Sequence, residues 1–121
     1  MNWLIKGRKK WHSDSKYRIN WDKKAPSKGA QQFKEFLKKY FYNNILYEEY
    51  RVPSSLLRID FLDATKKIAY EIQGRQHAEY VEFFHGNRLG YLSSIKRDLK
   101  KIEVLEENNY KIIELYEEDL E

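Results

Sequence analysis

The 121-residue sequence contains no cysteine. This absence excludes a disulfide framework and any zinc site built on thiolates, and it fits a reducing compartment. The apolar runs are only a few residues long, too short for a transmembrane helix, and the N-terminal residues contain no secretory signal. Internal repeats and low-complexity segments are also missing. We therefore expect a soluble, intracellular protein of the cytoplasm, without membrane contact and with one domain around a single core.

Positive charge is concentrated at the N-terminus. Residues 1–30 carry nine of the 23 Lys and Arg side chains but only two of the 19 acids, and all three Trp residues lie there. Basic side chains neutralise phosphates, and aromatic rings stack on bases. Two interpretations stay open: residues 1–26 form an arm that contacts nucleic acid, or its Trp residues pack against the domain while its Lys residues are solvated. Under the first interpretation the contacts to DNA come from Lys6, Arg8, Lys9, Lys10, Trp11, Lys16 and Arg18.

The remaining residues, 27–121, predict one α/β (α+β) domain. Phe33, Phe36, Leu37, Tyr40 and Phe41 recur at spacings of three and four, which predicts an amphipathic helix over about 29–42, capped by Ser27. Apolar segments between turn residues predict strands over 45–52, 56–62, 67–73 and 110–116. A second helix is expected over 95–107, with its buried stripe formed by Ile95, Leu99, Ile102 and Leu105.

The order of these elements predicts a mixed four-stranded sheet. The first three strands can form an antiparallel meander. A crossover through the second helix then places the last strand parallel to the third.

Two acids on neighbouring strands predict a metal site. Asp60 lies on one strand, and Glu71 and Gln73 share a face of the next because strand side chains alternate. Carboxylates among apolar residues are costly to bury unless a cation or hydrogen bonds compensate them. Hard oxygen ligands suit Mg²⁺, and Mn²⁺ accepts the same donors. The alternative is a hairpin with a few charges on its solvated face.

These segments resemble the core of the PD-(D/E)xK nuclease superfamily over about residues 27–118. The similarity rests on Arg58-Ile59-Asp60-Phe61, on Tyr70-Glu71-Ile72-Gln73-Gly74-Arg75-Gln76-His77, and on Lys96-Arg97-Asp98-Leu99-Lys100-Lys101. Within the superfamily the chain is similar to the very-short-patch-repair endonucleases and to the phage homing endonucleases called EDxHD. The resemblance implies a restriction-endonuclease-like core of helix, three-strand meander, helix and strand.

The resemblance also implies roles for individual residues. Asp60 matches the central metal-binding Asp, Glu71 matches the second acid, and the carbonyl of Ile72 would be a third ligand. Gln73 stands where many members have Lys, and His77 matches the catalytic His of the repair and homing group.

Other positions are less firmly matched. Asp98 matches the last Asp of the EDxHD pattern, but an acid in the first turn of a helix is also favoured by the helix dipole. Arg58 and Arg75 flank the acids, where they either grip the DNA backbone or form ordinary ion pairs with Glu71 or Glu79. The acid that relatives carry early in the first helix is replaced here by Gln31 or Gln32, or supplied by Glu35.

The implied function is metal-dependent hydrolysis of DNA by an endonuclease of the homing type, phage-encoded and active in the host cytoplasm. The expected cofactor is Mg²⁺ or Mn²⁺, without a small organic cofactor. The expected partner is double-stranded DNA, and double-strand cleavage would call for a second copy in a homodimer or higher homo-oligomer. Two alternatives stay open: a catalytically silent nucleic-acid-binding module of the same fold, and a mismatch-repair nickase. The second is disfavoured because such enzymes carry a zinc site with Cys ligands.

Overall fold

A mixed four-stranded sheet lies at the centre of the fold. The computed structural model describes residues 1–52, 57–73 and 99–116. The strands are β1 (Asn2–Ile5), β2 (Arg8–Trp11), β3 (Leu46–Arg51), β4 (Arg58–Asp63), β5 (Ile68–Gln73) and β6 (Lys111–Tyr116). The helices are α1 (Lys28–Phe41) and α2, whose described part covers 99–107, and a short 3-10 turn spans Ser15–Tyr17. In the described ranges, neither helix is long and apolar enough to cross a membrane.

The sheet confirms the predicted mixed topology. Its strand order is β3-β4-β5-β6; β3 pairs with β4 and β4 with β5 in antiparallel fashion, whereas β6 pairs with β5 in parallel. A parallel neighbour requires a crossover connection, and α2 lies in the segment between these two strands. The meander and the parallel last strand therefore follow from the order of elements along the chain.

Helix α1 covers one face of the sheet. Its first turn is capped by Ser27, whose hydroxyl oxygen accepts a hydrogen bond from the Ala30 amide at 3.1 Å, as predicted. Its buried apolar side chains belong to the Phe33 cluster, which consists of Ala30, Phe33, Leu37, Leu46, Phe61 and Tyr70. The predicted stripe was wrong in part: Phe36 and Tyr40 are 44% and 58% exposed. They lie at the margin of a helical face that is centred on Ala30 and Leu37.

Helix α2 packs on the opposite face through a stripe that differs from the predicted one. Leu105 is fully buried as expected, but Leu99 and Ile102 are 56% and 36% exposed, and Ile95 lies outside the described residues. The inward side chains besides Leu105 include two polar ones, Lys101 and Asn108, which bond to the sheet and to the N-terminal strands. Some inward positions of α2 are thus occupied by polar side chains that have hydrogen-bond partners. A search for apolar residues cannot predict such positions.

The N-terminal residues form a hairpin. Strands β1 and β2 pair antiparallel through a turn in which Lys6 and Gly7 both have positive φ, 53° and 76°. Two left-handed residues of this kind match the twist of a tight hairpin. These two strands were not predicted, because β2 is exposed along its whole length and only Trp3 of β1 is fully buried, so neither strand has an alternating apolar pattern.

Trp3 joins the hairpin to the core. It is 1% exposed, its indole N–H donates to the Tyr50 hydroxyl at 2.7 Å, and it stacks on Tyr110 at 5.5 Å. The Trp3 cluster also contains Tyr47, Val52, Ile59, Leu62, Ala69 and Leu105. The packing interpretation of the Trp residues is therefore correct for Trp3. Trp11, in contrast, is 73% exposed. A domain boundary near residue 26 stays a prediction.

Candidate active site

The sheet is irregular where Asp60 lies. The pairs Glu48–Phe61 and Tyr50–Ile59 flank the position, so Asp60 stands opposite Glu49. Glu49 has a left-handed backbone with φ of 47°, which is costly for a residue with a Cβ. As a result, Tyr47 and Tyr50 belong to the same Trp3 cluster although regular alternation would place them on opposite faces. Local distortions of this kind are frequent beside active sites.

Asp60 is held against the next strand by a hydrogen bond. The pairing of β4 with β5 runs from Asp63–Ile68 to Phe61–Tyr70. Beyond these pairs, the Ile72 amide of β5 donates to Asp60 Oδ2 of β4 at 2.9 Å. Here a side-chain oxygen, and not a backbone carbonyl, accepts the hydrogen bond. The contact fixes the carboxylate of Asp60 beside β5.

Glu71 lies next to Asp60 and is mostly buried. Its side chain is 13% exposed, and its Oε1 lies 2.9 Å from Lys101 Nζ of α2. Burial raises the pKa of Glu71 to about 7, the neighbouring Asp60 carboxylate adds to the increase, and Lys101 opposes it. The Glu71 carboxylate thus lies between the Asp60 carboxylate and the Lys101 ammonium group, and the structure brings together the two acids singled out in the sequence.

Asp63, three residues further along the same strand, has a different environment. It is fully buried, but its oxygens accept from Asn44 Nδ2 and from the Lys66 amide, both at 2.9 Å. These bonds hold the turn after β4 and the segment before β3 together. Asp63 is therefore a structural acid, in contrast to the pair at Asp60 and Glu71.

A cleft of about 270 Å³ opens beside Asp60. Its lining consists of Pro26, Ser27, Ala30, Glu48, Glu49, Arg58, Asp60, Phe61 and Ile72. Arg58 is exposed and pairs weakly with Glu49 at 3.4 Å. The ion pair of Arg58 with Glu71, one of the alternatives to a DNA contact, is not formed, since the partner of Glu71 is Lys101.

No acid joins the pair from the described part of α1. Glu35 is exposed, and Gln31 Oε1 accepts from the Ala25 amide at 2.7 Å. Gln32 Oε1 is buried without a partner. Instead of an acid, Lys34 points inward and pairs with Glu48 at 2.7 Å. Among the residues that the structure describes, no three His, Asp or Glu side chains lie close enough to hold a metal ion.

The remaining predicted site residues divide into three groups. Gln73 ends β5, opposite Tyr116, on the same face as Glu71. His77, Asp98 and Arg75 lie outside the described residues. The seven DNA contacts predicted in the N-terminal residues are all exposed, on the hairpin and the segment after it: Lys6, Arg8, Lys9, Lys10, Trp11, Lys16 and Arg18.

Lys101 is the functional candidate that sequence reasoning missed. It precedes the fully buried Leu105 by four residues, so both share one face of α2. A Lys at an inward position of an amphipathic helix needs a buried acid as partner. The spacing of four residues between Lys101 and Leu105 could have indicated that Lys101 points inward. It was overlooked because Leu99 and Ile102 predicted a different inward face.

No family model matches the chain, and comparisons with curated proteins and with solved structures find no significant match. The site is therefore interpreted from its own geometry.

The raised pKa of Glu71 makes the stability of the metal-free protein depend on pH. Between the ordinary value of 4.5 and the folded value of about 7, the folded state binds the proton and the unfolded state does not. Stability therefore falls as pH rises through this window, by roughly 2–3 kcal/mol from this group. We expect urea unfolding in EDTA to show the decrease between pH 5 and pH 8 for wild type and a much smaller one for Glu71→Gln. Equal decreases in the two proteins would contradict the assignment.

Proposed function

We propose that the protein is a metal-dependent DNA endonuclease of the homing type, which hydrolyses phosphodiester bonds in double-stranded DNA. The observation that carries the proposal is the juxtaposition of the Asp60 and Glu71 carboxylates beside Lys101. A solvated hairpin would leave these acids apart in water. Here Glu71 is mostly buried, and burial raises its pKa to about 7.

The donor set suits a hard divalent cation. Two adjacent carboxylates with a single ammonium group leave negative charge in a partly buried place, which a cation would neutralise. Asp60, Glu71 and the Ile72 carbonyl would hold Mg²⁺ or Mn²⁺. A bound ion of this type polarises the scissile phosphate and lowers the pKa of a bound water. Because Glu71 must be ionised to ligate, we expect binding near pH 7 to release protons.

Each of the other candidate residues has a separate task. Lys101 provides a positive charge for a phosphate oxygen, a task that the neutral Gln73 cannot perform. Gln73 can orient the attacking water or a phosphate oxygen through its amide. His77 is the group for proton transfer to or from the reacting oxygens. Arg58, exposed at the rim of the cleft, and Arg75 bind the DNA backbone.

Plasmid cleavage tests this function directly. With Mg²⁺ or Mn²⁺ we expect supercoiled plasmid, or a host-genome substrate that contains the preferred site, to be cut; with EDTA it stays intact. Linear product indicates cleavage of both strands by a homodimer or higher oligomer, whereas nicked product alone favours the nickase. Metal-independent cutting would contradict the proposal.

Replacing His77 by Ala should nearly abolish cleavage while DNA affinity changes little. The reason is that proton transfer contributes typically 10²–10⁴-fold to rate but little to binding of the ground state. Single-turnover cleavage and fluorescence anisotropy of the same preparation separate the two effects. Wild-type turnover in this variant would remove His77 from the mechanism.

A catalytically silent nucleic-acid-binding module is the second candidate. It is favoured by the contacts that already satisfy the acids: Lys101 pairs with Glu71, and the Ile72 amide bonds to Asp60. Salt-sensitive DNA binding without cleavage of any substrate, and without proton release on addition of Mg²⁺, would support this candidate over the endonuclease.

A further inference from the structure

A groove of about 730 Å³ lies between the N-terminal hairpin and α2. We call it the basic groove. Four of its lining residues are cationic: Lys6, Arg8, Lys10 and Lys100. Its apolar lining comes from Ile5, Val52, Leu57 and Val104, and its two acids are Glu103 and Glu107. Side chains from distant parts of the sequence thus form one surface that is more basic than acidic.

One of the two acids in the basic groove binds the hairpin turn. Glu107 Oε1 accepts from the Gly7 amide at 2.7 Å, and its Oε2 accepts from the Lys6 amide at 3.2 Å. The carboxylate therefore holds the turn in place while it keeps its charge. Four cationic residues against two acids still leave a positively charged lining, which attracts a polyanion.

The hairpin is held in a fixed position on α2. Asn108 follows the helix and is buried; its Oδ1 accepts from the Leu4 amide at 2.7 Å, and its Nδ2 donates to the Leu4 carbonyl at 2.8 Å. Together with the burial of Trp3, these bonds fix β2 relative to the helix. Pre-organised cations lose less freedom on binding than a flexible arm would.

Helix α2 connects the basic groove with the acid pair. Lys100 lines the groove, and its neighbour Lys101 bonds to Glu71, so consecutive residues of α2 belong to the two sites. From position 100 to position 107 the helix rises about 10 Å. One DNA strand carries a phosphate every 3.4 Å or so of duplex length, so this distance corresponds to roughly three phosphates.

We propose that the basic groove holds the DNA strand next to the scissile bond. Lys100, Arg8 and Lys10 contact successive phosphates, and the apolar lining packs on deoxyribose. This inference rests on the proposed function, and it adds to it a defined substrate subsite. The subsite would hold the DNA against the two acids.

Salt-dependent binding of a fluorescent duplex in EDTA tests the proposal without requiring cleavage. Each of Arg8→Ala, Lys10→Ala and Lys100→Ala should reduce the slope of log affinity against log salt by roughly 0.9, the value for one phosphate contact. Lys38→Ala is the matched control, because Lys38 is an equally charged, exposed residue on α1. Its slope should equal that of wild type. The proposal would be overturned if the three groove variants had the same slope as wild type, or if Lys38→Ala reduced the slope as much as they do.

A photo-crosslink locates the DNA independently. Because the chain has no cysteine, Glu103→Cys creates a unique attachment point in the basic groove, and Lys38→Cys creates one outside it. Crosslinks from position 103 should map within about three nucleotides of the cleaved bond. Crosslinks from position 38 alone would contradict the proposal.

The two hypotheses fail in different ways. Cleavage with unchanged slopes in the groove variants would overturn the groove and leave the endonuclease. Reduced slopes without cleavage by wild type would leave the groove as part of a silent DNA-binding module. A wild-type protein that binds no duplex would overturn both.

Discussion

Replacing Asp60 by Asn is expected to lower metal-dependent DNA cleavage by at least about 1000-fold. Loss of a central ligand removes several kcal/mol of transition-state charge stabilisation, and about 4 kcal/mol corresponds to this factor. Asn keeps an oxygen that can accept from the Ile72 amide, so the strand contact at 2.9 Å is retained. The measurement is single-turnover cleavage at saturating protein, with Mg²⁺ titrated to high concentration.

Asp63→Asn is the matched control on the same strand. Its carboxylate accepts from Asn44 and Lys66 and lies in a turn network rather than beside Glu71. We expect it to lower stability by about 1–3 kcal/mol, because it disturbs buried hydrogen bonds, while the folded protein still cleaves. Near wild-type cleavage by Asp60→Asn, or an equal loss of cleavage in folded Asp63→Asn, would show that the acid pair is not the reaction centre.

Replacing Trp3 by Ala is expected to destabilise the protein by about 3–5 kcal/mol, the usual cost of truncating a buried Trp. The substitution removes the stacking on Tyr110 and the hydrogen bond to the Tyr50 hydroxyl. Since small domains have only about 5–15 kcal/mol of stability, much of the chain would be unfolded at elevated temperature. Urea unfolding followed by far-UV circular dichroism measures the change without relying on the removed fluorophore.

Trp11→Ala separates the two roles of the N-terminal Trp residues. Trp11 is 73% exposed, so its removal should change the free energy of unfolding by no more than about 0.5 kcal/mol. If Trp3→Ala changed the free energy of unfolding as little as Trp11→Ala, the hairpin would not be part of the core. The pair of substitutions therefore tests whether the N-terminal residues belong to the core.

Strand order and the acid pair could be predicted because both depend on local patterns. The short turn after β4 makes β5 its antiparallel neighbour, which brings Asp60 and Glu71 onto adjacent strands. Helix faces were harder to predict. Phe36 and Leu99 look like core residues in the sequence but are exposed, since the width and direction of a buried face depend on what packs against it.

The sequence by itself determined the order of α1, the four strands of the mixed sheet and α2, and the candidate acids, because residue spacing and turn chemistry act over a few positions. Only the tertiary structure decided which cation meets Glu71, that Trp3 is core while Trp11 is exposed, and that Lys100 lies in one groove with Arg8. These contacts join residues far apart in the chain. Their formation depends on the relative placement of α2, the hairpin and the sheet, which no local pattern encodes.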